Sequence, residues 1–235
     1  MYSKRFDNRK LDETREIEAK VGIIKRADGS AYFRIGDTKV IAAVYGPREL
    51  YPVFLQNPEK GLLRCVYDMT SFSVTDRKRP GPNRRSIEIS LVTEKSLLPA
   101  LDLSQFPNTV IDIFIEVIQA DAGTRCAGIC AAAMALADAG IPMKDLVAAI
   151  SVGKVGDKIV LDLNKDEEDY EEGSTDMPVA IIGNTEEITL LQLDGDMNKE
   201  EILEALRLAK KGCSEIHKIQ KKALKEKYMS VKENE

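Results

Sequence analysis

Residues 120–140, ADAGTRCAGICAAAMALADAG, constrain this chain more than any other stretch. Small apolar residues occupy every direction around a helical wheel, and no polar stripe is left to face water. A helix that is apolar all round has to be enclosed. The fold must therefore supply packed layers on more than one side of it. Gly140 and Pro142 close the helix in the order expected of a C-terminus.

Arg125 stands at the mouth of this helix, with Asp121, Gly123 and Thr124 supplying a turn and a cap. A buried helix start leaves N–H groups that caps, water or a ligand must satisfy. An oxyanion there would meet the positive end of the helix dipole and a two-pronged guanidinium donor. The alternative is that Arg125 pairs with a nearby carboxylate.

Around this helix the pattern alternates between strands and helices. Residues 18–47 hold three strands separated by turn pairs at Asp28-Gly29 and Gly36-Asp37. Residues 51–61 read as a loop and residues 62–74 as a strand. A proline- and glycine-bearing loop follows, TDRKRPGPN. Asn83 then caps a helix that runs to about Leu101, with Ile87, Leu91, Leu98 and Leu101 as its apolar positions. In residues 109–121, strict alternation puts Ile111, Ile113, Ile115 and Val117 on one strand face.

Two strands flank Gly156-Asp157. The acidic run KDEEDYEEGSTD reads as a loop, and MPVAIIG and EITLLQLDG as two further strands. Asn198 caps a last helix with a stripe of Ile202, Leu206, Ala209, Cys213 and Ile216. The first sixteen residues are polar and read as an extended arm. The expectation is one α+β domain over residues 1–235, made of mixed sheets with packed helices, in two related β-α halves.

Composition narrows the partners. Hydrophobic residues make up 43% of the chain, enough for a substantial core. The net charge is -5, so the chain is no general coat for nucleic acid. A polyanion would have to be held by a local basic patch. With Cys65, Cys126, Cys130 and Cys213 dispersed and His217 the one histidine, no zinc site can be assembled. The cysteines read as small buried hydrophobes and His217 as a surface residue. Residues 1–16 carry no apolar signal core, and no apolar run is long enough to span a bilayer. The expected setting is cytoplasmic, with no membrane contact.

The chain has no Gly-x-Ser-x-Gly elbow, no phosphate loop of the Gly-x-x-x-x-Gly-Lys-Ser/Thr type, and no histidine placed for a triad. Besides Arg125, two features could carry chemistry. Arg84 and Arg85 fall in the first turn of a helix, where cations are disfavoured. Either carboxylates such as Asp76 and Glu88 compensate them, or an anion does. The acidic run holds Asp166, Glu167, Glu168, Asp169, Glu171, Glu172 and Asp176. It is either a solvated loop or a source of carboxylates beside a phosphate site, as metal ligand or general acid.

Read together, KRFDNRKLDETREIEAKVGI, GSAYFRIGDTKVIAAVYGPRE, MTSFSV, NRRSIEIS, DAGTRCAGI, ALADAGIPM, VLDLNKDEED and DMPVA resemble the RNase PH family, in order and along nearly the whole chain. The opening and the YGPRE segment are more similar to its archaeal exosome branch than to its tRNA-trimming branch. The resemblance implies a ribosomal protein S5 domain 2-like fold and a phosphorolytic 3′→5′ exoribonuclease. Inorganic phosphate would be the co-substrate, single-stranded RNA would be cut to nucleoside diphosphates, and the reverse reaction would tail RNA.

The resemblance implies roles for particular residues. Arg84 and Arg85 hold the RNA backbone, while Gly123, Thr124 and Arg125 form the phosphate-binding turn. Asp169 and Asp176 are the catalytic carboxylates, with Glu168 as the alternative to Asp169, and they are the ligands of any Mg2+. Arg64, Arg77, Lys78 and Arg79 are candidates for the RNA path. A six-membered ring is also implied. In it the chain alternates with a related inactive subunit, and RNA-binding cap subunits sit on one face.

Overall fold

The computed structural model describes residues 4–76, 78–170 and 173–232, so Arg77, Glu171 and Glu172 lie outside the described residues. The all-apolar helix forms as expected, α2 (Thr124–Asp138). Every residue from Cys126 to Leu136 is buried. Two sheets enclose it, which is the only way so small a set of side chains can avoid water on every side.

The first sheet has the strand order β1-β2-β3-β5-β4. Its strands are β1 (Ile17–Val21), β2 (Gly29–Ile35), β3 (Thr38–Glu49), β4 (Leu62–Met69) and β5 (Thr109–Gln119). Neighbours are antiparallel except β4 and β5, which run parallel with Cys65 opposite Ile113. The alternation in β5 is borne out: Ile111, Ile113, Ile115 and Val117 are fully buried beneath α2.

The second sheet is antiparallel, in the order β7-β6-β8-β9. It is built from β6 (Val147–Val155), β7 (Lys158–Leu161), β8 (Ser174–Ile182) and β9 (Ile188–Leu191). It meets α2 on one side, and α4 (Lys199–Lys232) lies along it. One cluster of buried side chains runs from the first sheet through α2 to the second sheet and α4. The α+β expectation holds.

Strand β2 and the last turn of α2 approach closely. A Cβ built on Gly29 would sit 2.3 Å from the Ala135 carbonyl oxygen and from the Ala139 nitrogen. Only a residue without a side chain fits there.

Four expectations need correction. The first concerns α1 (Arg84–Leu97), where Asn83 caps the helix as predicted and Ser86 returns the bond. However, Ile87, Leu91 and Leu98 point outward, with 62%, 49% and 37% of their surface exposed. The buried face is Ser86, Ile89, Thr93, Ser96 and Leu97. The reason is the neighbour. Strand β4 is a sheet edge with unpaired N–H groups, and α1 covers it. Ser90 Oγ accepts the Tyr67 N–H at 2.9 Å, and the Glu94 carboxylate accepts that of Cys65. The polar face therefore turns inward.

The second concerns the strand predicted over residues 62–74, which stops at Met69; Thr70, Ser73 and Lys78 then tie down a turn. The third concerns His217, which is no surface residue. Its side chain is 13% exposed, packs over Gly183, and sets Nε2 3.0 Å from Asp145 Oδ2. The fourth concerns the acidic run, which is not simply a solvated loop. Residues Lys165–Glu168 form one helical turn, α3, capped by Asn164, and Glu167 is fully buried.

The four cysteines are free and buried as expected, and burial pushes the Cys130 thiol up to about 12. Among the described residues, no helix is long and apolar enough to cross a membrane.

Substituting Gly29→Ala forces backbone to move at the β2–α2 contact. The expected cost is about 3 kcal/mol, the upper end for overpacking, read as a lowered urea midpoint with an unchanged slope.

Candidate phosphate and carboxylate site

Elements of both sheets, with α1 and α3, converge at the mouth of α2. Its N-cap, Gly123, adopts φ +64°, a left-handed conformation that glycine takes without strain. Gly123 brings no side chain to the first-turn N–H groups, so they remain open to an acceptor. Thr124, expected as part of a cap, instead faces the first sheet: its Oγ1 accepts the Tyr67 hydroxyl at 2.9 Å. Burial pushes the Tyr67 phenol up, which keeps it a donor at neutral pH.

Arg125 combines both readings of its sequence context. Its Nη1 donates to Gln192 Oε1, just past β9, and Nη2 lies 3.8 Å from Glu88 Oε1 on α1. Gln192 Nε2 also donates to Glu88 Oε1, at 3.4 Å. These partners are half-exposed or exposed, so the guanidinium is held but not sealed in. Arg84 and Arg85 open α1 on an exposed turn with no acidic residue in it.

Asp176 starts the inner part of β8, opposite Gly153 of β6. Ser151 Oγ donates to its Oδ1. Burial raises its carboxyl above the ordinary value, against the Ser151 hydrogen bond and the Arg125 charge, which lower it; Asp194 raises it further and Arg85 lowers it. Glu168, at the end of α3, is also raised, by burial first and then by the negative charge of Asp176. Lys165, the Gly123 backbone N–H and Arg85 pull it back down. Two buried carboxyls, one raised by the charge of the other, form with the two arginines one electrostatic unit.

The structure thus brings together Gly123, Thr124, Arg125, Arg85, Asp176 and Glu168. It does not bring Asp169 or Arg64 to them. Asp169 ends α3 with an exposed side chain, and Lys165 Nζ donates to its Oδ1 at 2.6 Å, one turn back. A one-turn helix sends successive side chains about 100° apart, so only one of Glu168 and Asp169 can face Asp176. Arg64 pairs with Asp112 through Nε at 2.6 Å and Nη2 at 3.0 Å. Strand alternation puts it on the face of the first sheet turned away from α2, whereas Leu63, Cys65 and Tyr67 face inward. Lys78 is engaged with Asp68 and the Met69 carbonyl, and Arg79 is exposed.

Sequence reasoning missed Tyr67, Ser151 and Gln192. Ser151 carried a signal, as the lone hydroxyl in a mostly apolar, buried strand, which needs a partner. Gln192 carried none. Among the described residues, no group of three or more His, Cys, Asp or Glu side chains could hold a metal ion.

Residues 13–142 match domain 1 of the 3′ exoribonuclease family and residues 145–212 match domain 2. The chain is 58% identical over 97% of its length to the protein named exosome complex component Rrp41 from Thermococcus kodakarensis, covering 91% of that protein. Its namesake from Methanopyrus kandleri is 55% identical over 95% of the chain and 93% of its own length. Among solved structures, rice Rrp46 superposes with a TM-score of 0.80 at 26% identity, covering 92% of this chain and 98% of that one. An Archaeoglobus fulgidus exosome with RNA bound to its active site gives a TM-score of 0.79 at 22% identity, over 92% of each chain, a likeness of fold. By sequence over nearly its whole length and by its fold, the chain belongs to the RNase PH family of 3′ exoribonucleases.

Proposed function

We propose that this chain is a phosphate-dependent 3′→5′ exoribonuclease and the catalytic ring subunit of an exosome. One observation carries the reading. Open N–H groups and Arg125 face two carboxyls of raised pKa, Asp176 and Glu168, in a chain more than half identical to proteins named as exosome components.

On this reading Gly123, Thr124 and Arg125 hold inorganic phosphate, and Arg84 and Arg85 hold the RNA backbone. A phosphate oxygen attacks the last phosphodiester of single-stranded RNA. The bond to the ribose 3′-oxygen breaks, and a nucleoside diphosphate leaves. Phosphate is already ionised, so no base is required. The barrier lies in crowding negative charge, which the arginines and the helix start offset. The ribose oxygen needs a proton, and a carboxyl raised by burial and by a neighbouring negative charge is suited to deliver one. We assign the second carboxylate to Glu168 in place of Asp169. The reverse reaction adds nucleotides from nucleoside diphosphates.

Mg2+ commonly binds through one or two carboxylates plus phosphate oxygens and water. Asp176 and Glu168 fit that role, and the ion would add positive charge beside the reacting phosphate. Arg64, Lys78 and Arg79 belong to the RNA approach path rather than the reaction centre. Outward-facing Ile87, Leu91 and Leu98 form an apolar surface suited to a neighbouring subunit. This supports assembly with a related inactive subunit in a hexameric ring, with RNA-binding cap subunits on one face. We also propose that residues 1–235 fold as one unit, because neither half can enclose α2 alone, and that its setting is cytoplasmic.

The test is release of nucleoside diphosphates from single-stranded RNA by the chain, alone and assembled with its partner. Release that requires phosphate supports the reading, and its absence from the assembled ring refutes it. Arg125→Ala is expected to lower kcat/KM for phosphate by about a hundredfold. An unchanged phosphate dependence would remove Arg125 from the site.

Asp176→Asn is expected to abolish turnover yet stabilise the fold. The carboxyl's folded pKa lies above its unfolded one. Its ionisation therefore costs stability increasingly as pH rises from the ordinary carboxylate range to the folded value and in full above it, and costs nothing below that range, where both states are protonated. At pH 7 the variant should melt about 2–4 °C higher. The gain should vanish as pH falls below the ordinary range, as thermal melts across pH would show.

A further inference from the structure

Residues 4–16 form neither strand nor helix, yet they bury two guanidinium groups in the body of the protein. Arg5 is completely enclosed. Its Nε and Nη2 grip the two carboxylate oxygens of Glu167 at 2.8 and 2.7 Å. Its Nη1 donates to the Leu161 carbonyl at 2.7 Å, and Nη2 to that of Asp162 at 2.7 Å. Arg15 grips Asp162 through Nε at 3.0 Å and Nη2 at 2.7 Å, and its backbone N–H adds a third bond at 2.7 Å. Its Nη1 donates to the Asp121 carbonyl and lies 3.1 Å from the Asp121 carboxylate. Asp121 in turn accepts the Lys165 N–H at 3.3 Å.

Those partners are placed with purpose. Asp121 lies two residues before Gly123, and Glu167 lies one residue before Glu168. Asp162, where the chain leaves β7 towards α3, adopts φ +57°, a left-handed backbone that an aspartate accepts at some cost. Arg5 and Arg15 therefore hold both segments that must meet for Glu168 to reach the mouth of α2. Stability alone is a poor reason for such buried pairs, because apolar replacements of like volume are often equally stable. Fixing register is the use that remains.

We propose that Arg5 and Arg15 are positioning residues for phosphorolysis: the N-terminal arm sets the Glu168 turn against the phosphate-binding turn. This rests on the site reading given above.

The test compares R15K and the double variant R5M/E167M with the native full chain, in the assembly that shows native phosphorolysis. R15K keeps the charge but loses the fork, and R5M/E167M replaces a buried pair by apolar side chains of similar volume. K222R, in an exposed ion pair with Glu226 one turn further along α4, is the control. The expected result is folded protein with kcat lowered roughly ten- to a hundredfold, KM for phosphate within about threefold, and R15A worse than R15K. K222R should match the native chain. Folded R15K and R5M/E167M with native kcat would overturn the proposal, as would losses in kcat that merely track the folded fraction.

A readout that needs no activity separates this from failure of the functional reading. Amide exchange at residues 163–168 should quicken in R15K while residues 126–136 of α2 stay protected. Unchanged exchange at 163–168 overturns the clamp even if the native chain is an active phosphorolytic enzyme. Absence of native phosphorolysis refutes the function and leaves exchange to decide the clamp.

Discussion

Enclosing α2 is the constraint on which the rest depends. A helix of Ala, Gly, Cys, Met and Leu offers little apolar area per residue, so it is stable only when neighbours approach on all sides. Two sheets meet that demand, and the contact at Gly29 shows how close the approach is. The cost is rigidity, since close-packed small residues leave no room for a helix to shift. A rigid α2 is what gives its first turn a fixed location, and the site is assembled around that turn.

Much of this was legible in the residues. The period-two runs located the strands, and the all-apolar helix required layers on two sides. Two things were not legible, for physical reasons. The inward face of α1 could not be read from its apolar spacing, because the helix covers a sheet edge whose N–H groups want Ser90 and Glu94 rather than leucines. His217 lay in a helix of high charge and looked exposed, but Asp145 comes to it from the start of the second half. Both outcomes are set by partners far away in the chain, which local pattern does not contain.

The site divides similarly. Arg125 stood out because it sat where a charge is costly, and Asp176 through the acidic run and the family resemblance. The choice between Glu168 and Asp169 turned on helical phase within a single turn, and the buried partner of Glu167 decides that phase. Arg5 belongs to a stretch that composition alone marks as a solvated arm. A buried bidentate pair is invisible until both partners are placed.

Arg125 has a further consequence. At rest its guanidinium already has acceptors, the Gln192 amide oxygen and Glu88 across from it. On the function proposed here, an arriving phosphate does not fill an idle fork. It competes for one, and its net affinity is the difference between two sets of contacts. Such an exchange keeps the arginine from collapsing onto Asp176 when no substrate is present. It also lets the anion leave as readily as it came, which suits the reversible phosphorolysis proposed for the chain.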